Sequence, residues 1–241
     1  MLNRHCREPQ INRRLVGVFV FLATLVAGTT IYWKFAYYRV WLSSTSPDQK
    51  YTVELTGDKG RGGILYAVVK YNILIDKQVV TSERLLHYGD AMDISFEIAY
   101  PEHAWIDDHT LRFWSNQHPI RGNSDTLLIT NNTNKVIRFL RIKTWDLFFV
   151  FDVQPRSRTW LSFSHRSEGK GISVEGEFED GSSIYRSVSF LENGSREGLG
   201  YCMTIDDQAV TINSHRERAY DDNGHWNNLN IAVAPECAPN R

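Results

Sequence analysis

The feature that most constrains this chain is an uncharged, mostly apolar run of nineteen residues near its start, Leu15 to Trp33. At about 1.5 Å of rise per residue, a helix of this length spans about 28 Å, close to the thickness of the hydrocarbon core of a bilayer. Aromatic rings, which favour the headgroup level of a membrane, cluster towards its C-terminal end and beyond: Tyr32, Trp33, Tyr37, Tyr38 and Trp41. The run therefore predicts a single transmembrane anchor at residues 15–33.

The charges on either side of the run predict its orientation. The leader, residues 1–14, carries four arginines against Glu8 and has a net charge of +3, whereas Lys34 and Arg39 follow the run. An excess of positive charge marks the cytoplasmic side of a membrane helix. We therefore expect a cytoplasmic N-terminus at a bacterial inner membrane and a periplasmic remainder. A cleavable signal peptide stays open as an alternative, because Val26, Ala27 and Gly28 place small residues near a cleavage position.

Charge and cysteine content narrow the function of the exported part. Subtracting the leader's +3 from the chain's −1 leaves −4 for the remainder, so a nucleic-acid-binding surface is not indicated. Cys6 lies in the leader, whereas Cys202 and Cys237 lie in the exported part, where disulfides persist. We predict one disulfide between Cys202 and Cys237, with two unpaired thiols as the alternative.

From Ser43 onward, short alternating segments separated by turn residues predict strands. Tyr51, Val53 and Leu55 alternate with polar residues, as do the apolar residues of 94–100, and a long β-rich run at 64–75 ends in a turn at 76–78. A strand at Thr110 to Trp114 is expected to close a first unit, residues 44–117. The turn formers of residues 118–125 then predict a boundary.

A second unit, residues 126–213, is expected to follow, with a tail at 214–241. The dipeptide Asp180-Gly181 predicts a hairpin with a type I′ turn, and residues 229–233 of the tail could add an edge strand. The predicted strands are short and closely spaced, and no helical pattern lies between them. This predicts an all-β fold of one or two antiparallel sandwiches after the anchor. The strands predicted in the second unit are 127–130, 136–143, 147–153, 159–164, 172–178, 184–191, 200–205 and 209–213.

Four short motifs carry a resemblance. The motifs are Asn131 to Lys135, Phe151 to Ser157, Phe178 to Gly181 and Phe190 to Gly194. Together they resemble the small immunoglobulin-like sandwich found in uncharacterised bacterial single-pass membrane proteins, over roughly residues 126–213. Such domains commonly have Gly after the proline, where this chain has Arg156. The resemblance implies a fold and brings no activity, cofactor or site residues with it.

The segment Asp146 to Asp152, DLFFVFD, is apolar on both faces of a strand. Leu147, Phe149 and Phe151 share one face, and Phe148 and Val150 share the other. Because burying both faces needs a second layer, the second face is expected either to pack internally or to meet a protein partner. The candidate partner-binding residues are Trp145, Phe148, Val150 and Trp160.

The sequence contains no convincing catalytic motif or cofactor signature. The loop with His103, Asp107, Asp108 and His109 supplies metal-binding residue types, but its spacing matches no standard zinc pattern. The tripeptides Asn131-Asn132-Thr133 and Asn193-Gly194-Ser195 both match glycosylation sequons and leave a eukaryotic source open.

The sequence therefore predicts a membrane-anchored, extracytoplasmic, non-catalytic module that binds a protein partner in the bacterial envelope. The first alternative is an immunity protein that neutralises a secreted antibacterial toxin. The second is a metal-dependent envelope hydrolase that uses the loop around His103 and His109.

Overall fold

The computed structural model describes most of the chain between residues 13 and 227. The described ranges are 13–37, 40–57, 66–90, 96–116, 124–164, 170–190, 200–207, 209–214, 219–221 and 226–227. One long helix precedes a mostly β remainder. The predicted all-β character of the part that follows this helix is therefore confirmed, in that the described residues there lie mostly in strands.

Helix α1 runs over Arg13–Tyr37 and contains the predicted anchor. Its threonine hydroxyls are satisfied within the helix, since Thr24 donates to the carbonyl of Val20 at 2.6 Å and Thr30 to that of Val26 at 2.7 Å. The side chains of residues 16–31 are exposed along the whole of this stretch. Among the described residues, no helix combines the length and the apolar character that a membrane crossing requires.

The strands of the described residues form three sheets. The first sheet has the order β1-β2-β3-β4, the second β10-β7-β13-β14, and the third, with eight strands, β16-β15-β12-β11-β8-β9-β6-β5. All neighbours pair antiparallel except β7 and β13, which are parallel. The strand bounds are β1 Val40–Thr45, β2 Tyr51–Gly57, β3 Tyr66–Ile75, β4 Gln78–Asp90, β5 Glu102–Trp105, β6 Thr110–Trp114, β7 Ser124–Asn131, β8 Ile137–Lys143, β9 Leu147–Val153, β10 Arg158–Ser164, β11 Lys170–Phe178, β12 Ser183–Phe190, β13 Gly200–Ile205, β14 Val210–Ser214, β15 Ala219–Asp221 and β16 Trp226–Asn227.

The eight-stranded sheet lies between the other two sheets, because its side chains contribute to two separate cores. One core joins its residues Leu140, Ile142, Phe148 and Val150 to those of β7, β10, β13 and β14. The other joins its residues Phe113, Phe139, Phe149 and Phe151 to Tyr51, Val53, Leu55, Tyr71 and Ile73 of β2 and β3. Strand β9 therefore sits between two apolar layers, which is why both of its faces are apolar.

A network of ion pairs also joins the first sheet to the eight-stranded sheet. Arg84 of β4 contacts Glu175 and Glu177 of β11 at 3.1 and 3.2 Å. Arg141 of β8 contacts Glu175 at 2.6 Å, and Arg138 contacts Glu177 at 3.4 Å. Glu175 and Glu177 therefore each have two arginine partners beside the core formed with the first sheet.

Two turn predictions had different outcomes. Asp76 and Lys77 form a two-residue hairpin loop with φ of 50° and 65°, the positive values that a type I′ turn requires. At the second hairpin the type I′ prediction was wrong, because only Gly181 has positive φ, at 83°. There the amide of Gly181 donates to the carbonyl of Phe178, which gives a longer loop with glycine in the left-handed position.

Residues 96–100, the described part of the strand predicted at 94–100, are not in a strand. Phe96–Ala99 is instead a short helix, α2, and the amide of Tyr100 donates to the carbonyl of Phe96 at 2.8 Å. The ring of Phe96 is 2% exposed and contacts the rings of Trp41 and Phe113 at centroid distances of 5.8 and 5.9 Å. Packing of this one ring thus outweighs the alternating pattern of the segment.

Sheet pairing crosses the predicted boundary at residues 118–125. Strand β6 was expected to close the first unit, but Leu111 pairs with Phe149 and Phe113 with Leu147 of β9. Strands β5 and β6 thus belong to the eight-stranded sheet rather than to the sheet of β1–β4. The edge strand predicted at residues 229–233 lies outside the described residues, and the described edge at that end of the sheet is β16.

Candidate functional site

A carboxylate at the end of the central strand lies where two layers meet. Asp152 Oδ2 accepts a hydrogen bond from Lys50 Nζ and another from the hydroxyl of Tyr51, each 2.6 Å long. Lys50 directly precedes β2 and Tyr51 begins it. One carboxylate of the eight-stranded sheet therefore holds the start of β2.

The backbone of Asp152 explains how its side chain reaches β2. Its φ is 51°, a left-handed conformation that aspartate adopts more readily than most residues. Phe151 packs into the core shared with the first sheet, yet Val153 packs into the opposite core. Since residues two apart in a strand normally share a face, the conformation at Asp152 shifts the alternation by one residue.

Aromatic rings surround these polar contacts. The Tyr51 ring stacks on Phe151 with centroids 4.6 Å apart and an interplanar angle of 16°. The His109 ring lies 5.6 Å from that of Tyr51, and the amide of Phe151 donates to the carbonyl of His109 at 2.9 Å. We call Lys50, Tyr51, His109 and Asp152 the Asp152 cluster.

The pKa shifts of Asp152, Lys50 and Tyr51 each favour one protonation state of the group. Burial alone would raise the pKa of Asp152, but hydrogen bonds from Lys50 and Tyr51, with the charges of Lys50 and His109, lower it below its usual value. The hydrogen bonds of Lys50 to Asp152 and Tyr51 raise the pKa of its ammonium. Burial, followed by the hydrogen bond to Asp152, raises the pKa of Tyr51 to about 12. Lysine, tyrosine and aspartate therefore keep one protonation state around neutral pH, which suits a structural junction rather than acid–base chemistry.

Replacing Asp152 by Asn is expected to remove a pH-dependent part of the stability. The pKa of Asp152 in the folded protein lies below the unfolded-chain value of about 3.9. The ionised carboxylate therefore stabilises the fold above about pH 4, and this contribution is lost as the pH falls through the folded-state pKa. In urea unfolding of the purified full-length protein, the difference between wild type and Asp152→Asn should be constant near neutral pH and shrink in acid. Asp108→Asn, in an exposed loop, serves as the control, and a difference that persists unchanged in strong acid would contradict the assignment.

The structure does not bring the candidate metal-binding residues together. His103 lies in β5 with its ring stacked on Phe113 at 5.1 Å, and burial lowers its pKa. His109 instead lies in the loop before β6, against Tyr51, and its amide donates to Asp107 Oδ1 at 2.8 Å. Within the described residues, no group of three or more His, Cys, Asp or Glu side chains could hold a metal ion.

The predicted partner-binding residues occupy different environments. Phe148 and Val150 are 0% and 2% exposed within the core shared with β7 and β13, so their packing is internal and they do not line a surface. Trp145 is half-buried and lines a small cavity. Trp160 is 47% exposed on β10. Of the four residues, Trp160 is the one that presents most of its ring outside.

Two other sequence predictions concern covalent chemistry. Cys202, in β13, is disulfide-bonded, but no disulfide joins two cysteines within the described part of the chain, since Cys6 and Cys237 lie outside it. The pairing with Cys237 therefore stays a prediction. Asn131 is 0% exposed, and its side-chain Nδ2 donates to the carbonyls of Lys135, Val153 and Gln154. The first sequon is therefore not available for glycosylation in the folded protein.

Sequence reasoning missed the Asp152 cluster because Lys50 and Tyr51 are 102 and 101 positions from Asp152 in the chain. The local signal for a site here was that an aspartate, Asp146 or Asp152, stands at each end of the apolar stretch in DLFFVFD. Asp146, at the other end, is 0% exposed and accepts from Arg112 Nε at 3.1 Å and from the amide of Ser115 at 3.0 Å. Carboxylates at both ends of β9 thus bind neighbouring parts of the fold.

Comparisons with known proteins were made by sequence and by structure. No family model matches the chain, and neither a curated protein nor a solved structure matches it.

Proposed function

We propose that this protein is a membrane-anchored, non-catalytic binding module whose β region lies outside the cytoplasm of a bacterial cell and binds a protein of the envelope. The observation that carries the proposal is the position of Trp160, 47% exposed on β10 at the edge of its sheet. Tryptophan is enriched among the residues that dominate binding energy at protein interfaces.

The register of β10 supports a partner contact at this edge. Leu161 and Phe163 face the core, so Trp160 and Ser162 face outward. Among the described strands, β10 pairs on one side alone, with β7. The backbone N–H and C=O groups on its other side suit pairing with an extended segment of another protein, a common mode of peptide recognition.

The anchor and its orientation are also part of the proposal. They are supported by the uncharged run at residues 15–33, by the arginine-rich leader, and by the exposed apolar side chains of residues 16–31. An apolar helix surface of this extent suits an apolar environment. The immunoglobulin-like sandwich is proposed for residues 126–213, where two sheets share one core and the four resembling motifs lie.

The experiment compares partner capture by full-length variants in membranes of the source organism. A photo-crosslinking amino acid at Ser162, which is exposed beside Trp160, should join the protein to a defined partner. Trp160→Ala should reduce the yield of that product about tenfold or more, as expected for loss of an aromatic anchor. Tyr185→Ala is the matched control, because Tyr185 is 68% exposed on β12, in another sheet.

Two results would overturn the proposal. One is a crosslinked product of equal yield with and without the Trp160 ring. The other is the absence of any specific product, when circular dichroism shows that all variants are folded. Alkaline extraction tests the anchor separately, since a protein released from membranes by this treatment is not integrally anchored.

A further inference from the structure

A cavity of about 260 Å³ lies where one end of β8 meets β11 and β12. In the strand register Lys143 is opposite Ser173, and Ser173 is opposite Ser187. Directly opposed residues have neighbouring side chains on one face of a sheet, so an amine and two hydroxyls form a row. The cavity is lined by Lys143, Thr144, Trp145, Gly171, Ser173 and Ser187.

Lys143 differs from the other cations on the same face of β8. Arg141 and Arg138 contact Glu175 and Glu177, whereas Lys143 forms no ion pair or hydrogen bond within the described part of the chain. On β11, the residue opposite Lys143 is Ser173, whereas the next two residues on the same face of this strand are the acidic Glu175 and Glu177. Lys143 is exposed as a residue, and partial desolvation of its ammonium group, followed by repulsion from Arg141, lowers its pKa. An anion at this position would supply the charge partner that Lys143 lacks.

The other lining groups indicate what else such an anion carries. The hydroxyls of Ser173 and Ser187 can each donate and accept a hydrogen bond, and both residues are partly exposed. Trp145 is half-buried and presents an amphipathic aromatic side chain to the cavity. An ammonium, two hydroxyls and an indole together suit a compact ligand with one negative charge, several hydroxyls and an apolar face.

We propose that this cavity binds a small hydroxylated carboxylate of the hexuronic acid class. The carboxylate would accept from Lys143, the sugar hydroxyls would bond to Ser173 and Ser187, and the C–H face of the ring would lie against Trp145. This site is independent of the proposed protein-binding edge at Trp160, so either can fail without the other.

The test is titration of the purified full-length protein with glucuronate, glucose and inorganic phosphate, followed by calorimetry or ligand-observed NMR. Glucuronate should bind at least about tenfold more tightly than glucose, because only its carboxylate can form a charge-assisted hydrogen bond with Lys143. Lys143→Met should weaken glucuronate binding by about tenfold or more, and Ser173→Ala should weaken it less. Lys70→Met is the matched control, since Lys70 pairs with Glu83 on the first sheet.

The outcomes separate the possible ligands. Equal affinity for glucuronate and glucose would overturn the role of the charge, and unchanged binding by Lys143→Met would overturn the site. Phosphate binding that exceeds glucuronate binding would overturn the carboxylate class. Binding of none of the three probes by folded wild-type protein would overturn the proposal as a whole. Thermal melts of each variant confirm that a lost signal does not reflect unfolding.

Discussion

Replacing Phe148 by Ala is expected to lower the free energy of unfolding by about 3–5 kcal/mol, the usual loss for a large aromatic side chain truncated in a core. Phe148 is 0% exposed, pairs with Ile142 across β8 and β9, and has the Arg112 guanidinium 5.4 Å from its ring. Since domains are stable by only about 5–15 kcal/mol, the loss is a large part of the total. Chemical denaturation of the purified full-length protein measures it.

The matched control for Phe148 is Trp160→Ala. This substitution also removes a large aromatic side chain, but from a residue that is 47% exposed, so its effect on unfolding should be well below that of Phe148→Ala. Equal effects of the two substitutions, or a stable Phe148→Ala protein that loses a binding partner, would show that Phe148 belongs to an interface and not to the core.

Replacing Asp146 by Ala is expected to cost about 3–5 kcal/mol, because it leaves a partly buried guanidinium without its charge partner. Asp146 is 0% exposed and the Arg112 side chain is 14% exposed. The same carboxylate accepts from the amides of Ser115 and Ser164 at 3.0 and 3.3 Å, so the substitution also removes the partner of two backbone groups. The loss should appear as a lower midpoint in urea unfolding.

A double substitution separates the charge effect from the backbone effect. Arg112→Met combined with Asp146→Ala should cost less than the sum of the two single substitutions, because the isolated charge is then absent. Asp108→Ala, which removes an exposed carboxylate, is the control and should change stability little. Strict additivity of the two substitutions would contradict direct coupling between Arg112 and Asp146.

Much of the strand pattern was predictable because it depends on local alternation and turn residues. The bounds of β9 at Leu147–Val153 and of β13 at Gly200–Ile205 agree with the predicted ones. The β2 prediction also holds, since Tyr51, Val53 and Leu55 are all 0% exposed. These strands follow their sequence pattern because one or both faces are buried, which fixes the side on which each apolar residue must lie.

The candidate site was less predictable because it depends on contacts between distant segments. Lys50 and Asp152 are separated by 102 positions, and no local pattern indicates that β2 packs beside the end of β9. The hairpin at Gly181 shows the same limit on a smaller scale. The dipeptide indicated a turn, but the pairing of the flanking strands decided which residue has positive φ.

The sequence by itself determined the long apolar run near the start, most of the strands and the two-faced apolar character of DLFFVFD, because each is recorded in residues close together in the chain. The tertiary structure decided which layer covers each face of β9, that Phe96 lies in a helical turn, and that β6 pairs across the predicted boundary. It also placed Lys50, Tyr51 and Asp152 in one cluster. These features depend on which surfaces meet when the sheets pack, and burial of shared apolar area and paired charges, rather than local preference, selects that arrangement.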